Sequence, residues 1–367
     1  MQFSVFGSIL NIGAILGAIA CGRITDLLGR KGAMRLSSFV CAVGWLAIYL
    51  AMGPGLLELG RFLTGFGIGI FSFAVPVFIG EITPTDLRGT LTSMNLLLLA
   101  TGTSSFYIIG AFISWRALAL IGILPSLIQY IGLFIIPESP RWLAMVGKEG
   151  EFEAALQKLR GPRTDTSLEV AEIREHLSLR LLEYLEEQKG LPDANLFTLF
   201  ERSNVRPVIV AVGVMAFQQL VGINAVYFYA NMIFKSAGLD PTTGSIIYAI
   251  LQVIVTAIGA ALVDKAGRRP LLLSHGMALG LVPSMALSGV LVFPLHIKGL
   301  GGSLVTFVNW FGSWLETFAF NFLIAWSSAG TFLVDGVFCA LAVIFFYKYV
   351  PETKGRTLEE IHASMRS

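Results

Sequence analysis

Three side-chain amides lie close together in a charge-free stretch at residues 207–234. Gln218 and Gln219 occupy its middle third, and Asn224 follows five residues after Gln219. Each amide carries two hydrogen-bond donors and an oxygen acceptor, so the group suits an uncharged ligand with many hydroxyl groups. In a straight helix, Gln219 and Asn224 would point about 140° apart. Convergence on one ligand therefore requires local unwinding, for which Gly222 is the obvious place.

The elements that must position these amides are unusually apolar. Of the 367 residues, 55% are hydrophobic and 14% are charged, against roughly 25% charged residues in a soluble protein. The mean hydropathy of +0.74 indicates a lipid environment. Of the 50 charged residues, 23 fall between Glu138 and Arg206. This distribution excludes a soluble enzyme and a nucleic-acid binder with a basic face. The three cysteines show neither metal-ligand nor disulfide spacing, so no metal or cofactor is expected.

Ten stretches without charged residues are long enough to span a membrane, which takes about 20 apolar residues. They are 3–22, 36–57, 62–80, 89–115, 117–137, 207–234, 241–263, 270–297 and a pair within 299–347 that Glu316 and Asp335 interrupt. The basic residues of the short loops 23–35 and 264–269 place those loops in the cytoplasm. Counting spans onward from Arg269, however, would put Lys298 and the basic tail outside. The alternation of sides thus fails, as though spans were missing.

An internal repeat explains this failure. Asp26, Gly29, Arg30 and Lys31 recur as Asp264, Gly267, Arg268 and Arg269, each at an offset of 238 residues. A fixed offset indicates two homologous halves. Fifty-eight residues separate Asp26 from Pro84, whereas 30 separate Asp264 from the matching Pro294. The second half therefore lacks about one helix and a turn at 1.5 Å per residue, and the run 270–297 is too short to cross twice.

Seven motifs in order resemble the sugar porter family of the major facilitator superfamily, most closely the plant early-responsive-to-dehydration-like sugar transporters. The motifs are Gly22-Arg23-x2-Asp26-x2-Gly29-Arg30-Lys31, Arg61, Pro76 with Glu81-x6-Arg88-Gly89, Pro137-Glu138-Ser139-Pro140-Arg141-Trp142, Gln218-Gln219-Leu220-x-Gly222-Ile223-Asn224, Asp264-x2-Gly267-Arg268-Arg269 and Pro351-Glu352-Thr353-Lys354-Gly355. The resemblance implies an all-α membrane protein. Its fold would be a two-lobed helical bundle with about ten of the usual twelve transmembrane helices, family helix 1 and most of helices 9 and 10 being missing.

The resemblance also assigns roles to residues. It implies that Gln218, Gln219 and Asn224 bind sugar and that Tyr229 gates the outer side, although these polar groups could instead only hold helices together. Asn309 and Trp310 match a pair that contributes to the family site, and for Trp310 lipid packing or interface anchoring is an equal alternative. Leu96 stands where the family carries a sugar-binding Gln. No catalytic residues are expected.

Charged residues fall into two further groups. Those at predicted cytoplasmic helix ends could interlock to hold the inner gate shut, as the resemblance implies, or could only anchor topology. They are Arg23, Asp26, Arg30, Lys31, Glu81, Arg88, Glu138, Arg141, Asp264, Arg268 and Arg269. Three charges lie within apolar stretches: Arg61, Glu316 and Asp335. Such charges mark function by default, although decay of a shortened chain would also leave them. The family's proton-coupling Asp lies in helix 1, so Arg61 lacks that partner and proton coupling is left open.

The predicted organisation has four parts. These are an N-terminal transmembrane lobe at 1–137 (family helices 2–6), a cytoplasmic helical linker at 138–206, a C-terminal lobe at 207–350 (family helices 7–9, 11 and 12, shortened near 281–293) and a cytoplasmic tail at 351–367. Within the linker, Leu168, Val170, Ile173, Leu177, Leu181 and Leu185 recur at helical spacing and predict one or two amphipathic helices. The linker contains no nucleotide-binding loop.

Two functions compete at this point. The first is a multi-pass transporter that moves a hexose-type monosaccharide by alternating access, with membrane lipid around it and protons as a candidate second substrate. The second is a non-transporting, truncated paralogue or isoform that binds or regulates full-length sugar porters. The sequence does not distinguish a vacuolar from a plasma membrane location.

Overall fold

The computed structural model describes residues 2–84, 87–175, 178, 205–236, 238–266 and 298–350, and the described chain is helical without strands. The helices are α1 (Gln2–Leu50), α2 (Pro54–Ile82), α3 (Arg88–Gly110), α4 (Trp115–Gly132), α5 (Pro140–Met145), α6 (Glu149–Arg160), α7 (Val205–Leu220), α8 (Ile223–Ser236), α9 (Pro241–Ala266), α10 (Lys298–Trp326) and α11 (Ser328–Tyr349). Five described helices are long and apolar enough to cross a membrane: Val5–Leu50, Pro54–Ile82, Trp115–Gly132, Pro241–Leu262 and Ser328–Tyr349. The predicted all-α class is confirmed.

Helix α1 is two helices that meet at Gly29. The Gly29 backbone has φ 79° and ψ 172°, a left-handed conformation that a side chain would disfavour. A Cβ at this position would also lie 2.5 Å from Glu138 Oε2. The prediction of a loop over 23–35 was therefore wrong in extent, because helical backbone continues through the charged residues on both sides of one glycine.

Two pairs of glycines bring the first half of α1 directly against α2. Gly13 and Gly17 on α1 meet Gly65 and Gly69 on α2, and a Cβ on any of the four would overlap a carbonyl oxygen of the facing helix. Small residues four apart on both helices permit this backbone approach, which is the usual way that membrane helices gain packing contacts. This close approach joins helices α1 and α2 within the N-terminal lobe.

The core of the C-terminal lobe lies between α7, α10 and α11. Its buried side chains include Val210 and Val214 on α7, Val305 on α10 and Phe346 on α11. Large apolar residues face outward around both lobes, as Leu98, Ile128 and Ile344 do with 62%, 70% and 62% of their surfaces exposed. An apolar outer surface is what lipid contact requires, because lipid imposes no cost on exposed hydrocarbon.

Several predicted boundaries were wrong. Helix α2 begins at Pro54 rather than at 62, because Pro at the first helical position starts a helix ahead of Glu58 and Arg61. The stretch 207–234 is divided into α7 and α8 between Leu220 and Ile223, where local unwinding was predicted. Within the linker, Val170 belongs to a buried cluster with Phe152 and Leu156, and Ile173 packs against that cluster, but Leu168, placed on the same predicted apolar face, is 79% exposed. Other predicted features lie outside the described residues: Leu177, Leu181, Leu185, Arg268, Arg269, the run 270–297 and the tail 351–367.

Candidate functional site

The break between α7 and α8 brings two of the predicted amides together. Helix α7 ends at Leu220, α8 begins at Ile223, and Gly222 has φ 92°. The predicted unwinding at Gly222 is therefore observed. Across this break, Asn224 Nδ2 donates to Gln219 Oε1 over 2.5 Å, so the two side chains share one region instead of pointing to opposite sides of a helix.

The same hydrogen-bond network continues onto α10. Gln219 Nε2 donates to Asn309 Oδ1 over 2.6 Å, and Asn224 Nδ2 donates to Glu316 Oε2 over 2.9 Å. Gly312 lies between these two α10 residues, and a Cβ there would approach the Gln219 side chain to 2.8 Å. The absence of a side chain at Gly312 is therefore what lets α7 and α10 approach closely enough to join three amides and one carboxylate.

Two further polar groups lie beside the network. The buried Gln218 Oε1 has no hydrogen-bond partner in the described part of the chain, an arrangement that costs about 1–3 kcal/mol unless a ligand or water supplies a donor. Asp335 on α11 lies against the break, because a Cβ built on Gly222 would be 2.8 Å from Asp335 Oδ2. Both Glu316 and Asp335, singled out as charges within apolar stretches, thus lie at the amide region.

Polar contacts connect α10, beside the network, to the N-terminal lobe. Asn11 Nδ2 on α1 donates to Thr317 Oγ1 on α10 over 3.4 Å, and Trp310 Nε1 donates to Ser72 Oγ on α2 over 3.3 Å. Trp310 therefore bridges the lobes next to Asn309. This position is compatible with either of the predicted roles of Trp310, stacking on a sugar ring or anchoring an interface.

A second interlobe cluster is aromatic and was missed from sequence. The Tyr107 hydroxyl on α3 donates to the backbone carbonyl of Tyr227 on α8, and Gln252 Nε2 on α9 donates to the Tyr227 hydroxyl over 2.7 Å. The Tyr248 ring packs edge-on against the rings of Tyr107 and Tyr227. A cavity of about 370 Å³ opens beside Tyr107, Tyr227 and Tyr229. A Tyr and a Gln inside otherwise apolar spans were the signal that could have identified this cluster.

The predicted gate Tyr229 is buried, with 2% of its surface exposed. Its hydroxyl donates to the Thr317 carbonyl over 3.1 Å, and its ring packs on Phe320 at 5.0 Å between centroids. Tyr229 therefore links α8 to α10 within the C-terminal lobe, at the wall of the aromatic cavity, while its neighbour Tyr227 makes the contact across the lobes.

Comparison with known families identifies this arrangement. The family model described as "Sugar (and other) transporter" matches residues 1–292 and again residues 274–365. The chain belongs to this sugar transporter family. "Sugar transporter ERD6-like 8" from Arabidopsis thaliana is 52% identical over 405 residues, covering 99% of this chain and 84% of the relative. "Sugar transporter ERD6-like 7" from the same plant is 48% identical over 402 residues, covering 99% of this chain and 85% of the relative.

A solved structure agrees with these relatives. The proton:xylose symporter XylE of the major facilitator superfamily, bound to 6-bromo-6-deoxy-D-glucose, has a TM-score of 0.75 and 25% identity, covering 99% of this chain and 89% of that one. The predicted family and fold are confirmed: this sugar transporter is an integral membrane protein with the two-lobed major-facilitator fold. Neither the family match nor the relatives support the alternative of a non-transporting regulator.

The same comparisons bear on the predicted shortening of the second half of this sugar transporter. The two family matches overlap at 274–292, inside the run 270–297 where the repeat arithmetic predicts missing residues. The alignment with ERD6-like 8 extends over 405 residues, more than the 367 of this chain, so gaps open in this chain. A shortened second half would produce both observations, although the run itself lies outside the described residues.

The charged residues at the predicted cytoplasmic end form a network within the N-terminal lobe. Arg30 makes two hydrogen bonds to Glu81, from Nε over 2.9 Å and from Nη2 over 2.8 Å, and the Ser139 hydroxyl donates to the same carboxylate over 2.5 Å. Arg30 Nη1 also lies 3.9 Å from Asp26 Oδ1. These contacts tie α1, α2 and the start of α5 together, and none of them reaches a helix of the C-terminal lobe.

Glu138 holds the turn at Gly29. Its carboxylate accepts hydrogen bonds from the backbone N–H groups of Lys31, over 3.1 and 3.2 Å, and of Ser139, over 2.8 Å. Burial raises the pKa of Glu138 although these donors and Arg30 act to lower it. The Lys31 side chain donates to the Ile136 carbonyl, so Glu138 accepts hydrogen bonds from the Lys31 backbone while the Lys31 ammonium binds elsewhere.

The structure describes fewer contacts for the remaining charged candidates. Arg23 is exposed in α1 and Arg141 lies in α5, while the side chains of Arg88 and Asp264 fall outside the described residues. Arg61 is partly buried, with its guanidinium carbon 4.5 Å from the centre of the Phe6 ring, and its buried Nε has no hydrogen-bond partner among the described residues. The described residues also contain no cluster able to hold a metal ion.

Proposed function

We propose that this sugar transporter carries a hexose-type monosaccharide by alternating access and binds it at the network of Gln219, Asn224 and Asn309, with Gln218 and Trp310 beside it. The observation that carries this proposal is the convergence of three amides across a helix break at the interface between the lobes. An amide network of this kind can exchange hydrogen bonds with several hydroxyl groups of one ligand.

The chemistry of the network favours a neutral, polyhydroxylated ligand. Gln219 has one N–H and Asn309 two N–H groups that the network leaves unused, and Gln218 contributes a carbonyl oxygen that has no hydrogen-bond partner among the described residues. The Trp310 ring supplies an apolar face of the kind on which a sugar ring can stack. No step forms or breaks a covalent bond, so transport requires no catalytic group.

The contacts between the lobes suit alternating access. Within a lobe, helices pack through glycines and large apolar clusters. Between lobes, the described polar contacts are single bonds such as Asn11 to Thr317, Trp310 to Ser72 and Tyr107 to Tyr227. Rigid lobes with few bonds between them can rock about a central site. In this proposal the lobes 1–137 and 207–350 move as units joined by 138–206, Tyr229 lines the outer gate and the Arg30–Glu81 network belongs to the inner gate.

Uptake into vesicles tests this proposal. The purified chain is reconstituted into liposomes, and uptake of radiolabelled D-glucose is measured against empty liposomes, with an internal pH dye recording proton movement in the same samples. We expect saturable uptake that unlabelled hexose competes away and that Gln219→Ala lowers at least tenfold. Uptake indistinguishable from empty liposomes would overturn the proposal, and the pH dye decides between proton-coupled and uncoupled transport.

A further inference from the structure

Glu316 joins the amide network from a helix in which acidic residues are costly. It lies near the middle of α10, a 29-residue helix, and its Oε2 accepts a hydrogen bond from Asn224 Nδ2 over 2.9 Å. Asn309 lies seven residues earlier, two helical turns away on the same face. The Glu316 carboxylate and the Asn309 amide therefore lie on one face of α10, where Glu316 contacts Asn224 and Asn309 contacts Gln219.

The carboxylate fixes the direction of every hydrogen bond in the network. An ionised carboxylate only accepts, so Asn224 must present N–H to it. The second N–H of Asn224 goes to Gln219 Oε1, and Gln219 Nε2 in turn donates to Asn309 Oδ1. Each amide is thus orientated by the previous one, and the chain of bonds begins at the charge of Glu316.

This orientation decides what a ligand meets. With Glu316 ionised, Asn224 offers only its carbonyl oxygen, whereas Gln219 offers one N–H and Asn309 offers two. A protonated Glu316 could donate its own O–H to an amide oxygen, which would allow Asn224 to turn over and the pattern to reverse. The charge therefore preorganises a donor-rich surface that suits the oxygen atoms of sugar hydroxyls.

We propose that Glu316 is a positioning and specificity-determining residue whose ionised carboxylate sets the hydrogen-bond polarity of the sugar site, so that sugar affinity depends on its protonation. This inference rests on the proposed sugar site at Gln219, Asn224 and Asn309. In this inference, the carboxylate whose protonation is linked to sugar binding lies in the C-terminal lobe. Protonation of Glu316 loses a charge-assisted hydrogen bond and the amide order that depends on it, so affinity should fall about tenfold as the pH decreases.

Other titratable groups lie on the helices packed around α10. The experiment must distinguish their effect on the pH dependence of sugar affinity from that of Glu316. Tyr229 on α8 donates to the Thr317 carbonyl, and Asp335 on α11 lies against Gly222. The other titratable groups on α1, α7, α8 and α11 are Cys21, Arg23, Asp26, Arg30, Lys31, Arg35, Cys41, Tyr49, Arg206, Tyr227, Lys235, Cys339, Tyr347, Lys348 and Tyr349. Asp335 is the acidic group at the same helix break, so Asp335→Asn is the matched control.

The experiment measures D-glucose affinity between pH 4.5 and 8 by titration calorimetry of the purified chain in lipid nanodiscs. Wild type should lose about tenfold in affinity towards the acidic end, while Glu316→Gln should bind weakly at every pH with a flat profile. Glu316→Asp, which keeps the charge, should recover a sloping profile, and Asp335→Asn should retain the wild-type slope. Repeating the wild-type titration in two buffers of different ionisation enthalpy should reveal proton uptake or release equal to that slope, because binding and protonation are linked.

The outcomes separate this inference from the proposed site. A flat wild-type profile, or an unchanged slope in Glu316→Gln, would overturn the role of Glu316. If Gln219→Ala binds D-glucose as wild type does, the proposed site fails instead. If Glu316→Gln does not fold, the Glu316→Asp profile and the wild-type proton count still decide the question, because the inference requires both to be non-zero.

Discussion

Replacement of Gly222 by alanine tests whether the helix break creates the site. Gly222 has φ 92°, a conformation that costs an L-residue roughly 1–2 kcal/mol. The new Cβ would also lie 2.8 Å from Asp335 Oδ2, so the carboxylate must move. Both effects favour helical backbone at position 222 over the observed break.

The consequence for the site follows from helix geometry. A continuous helix would carry Asn224 about 140° around the axis from Gln219, which breaks the 2.5 Å bond between them and removes Asn224 from Glu316. Each lost bond is worth about 1 kcal/mol net. We therefore expect Gly222→Ala to lower the free energy of unfolding by about 1–2 kcal/mol and D-glucose affinity by about tenfold or more.

The assay combines thermal unfolding with sugar binding in nanodiscs. Gly336→Ala is the matched control, because Gly336 lies in the interior of α11, has ordinary helical geometry and has no atom within 4 Å of the Cβ that alanine would add. Alanine in a helix interior is favoured over glycine by about 1 kcal/mol, so this variant should be as stable as wild type or more so, with unchanged affinity. If Gly222→Ala behaves like Gly336→Ala in both measurements, the break does not assemble the site and the reasoning is refuted.

Three further predictions concern packing and charge. Gly65→Ala should destabilise the chain by about 1–3 kcal/mol because its Cβ overlaps the facing helix, whereas Gly80→Ala on the same helix has open space and should not; equal melting temperatures would contradict this. Glu81→Gln should cost about 3–5 kcal/mol, because it removes the closest counter-charge of the mostly buried Arg30 and leaves only the more distant Asp26, and limited proteolysis should then cut near residue 138. Hydrogen bonds from Thr243 lower the pKa of Asp240; the stability that Asp240 contributes is therefore present above its unfolded pKa and lost as the pH falls through the lower folded value, and Asp240→Asn should lack this acid-side loss in a pH series of thermal melts.

The helix break could be predicted from sequence because one residue type decides it. Two glutamines and an asparagine five residues apart cannot converge in a regular helix, and glycine is the residue that adopts a left-handed backbone at low cost. The same logic would have placed the turn of α1 at Gly29. That prediction failed in extent because the absence of charge was used to bound helices, and charged side chains are compatible with helical backbone outside the lipid.

The partners of the amides could not be predicted in the same way. Glu316 is 92 residues from Asn224, and Tyr107 is 120 residues from Tyr227. Periodicity reports which face of a helix is apolar, but not which helix the polar positions meet. From sequence alone, an acidic residue in an apolar helix was therefore equally consistent with function and with decay. The fold places the Glu316 carboxylate against Asn224, which favours function.

The central claim is that the Gln219 network is the sugar site, and equilibrium binding tests it most directly. D-glucose affinity of the purified chain is compared between wild type, Gln219→Ala and Gln129→Ala, the last being a matched amide on α4 away from the network. The account predicts that Gln219→Ala loses at least tenfold in affinity, since it removes one hydrogen-bond partner from each of Asn224 and Asn309, and that Gln129→Ala binds as wild type does. Wild-type affinity in Gln219→Ala, or an equal loss in both variants, would contradict it.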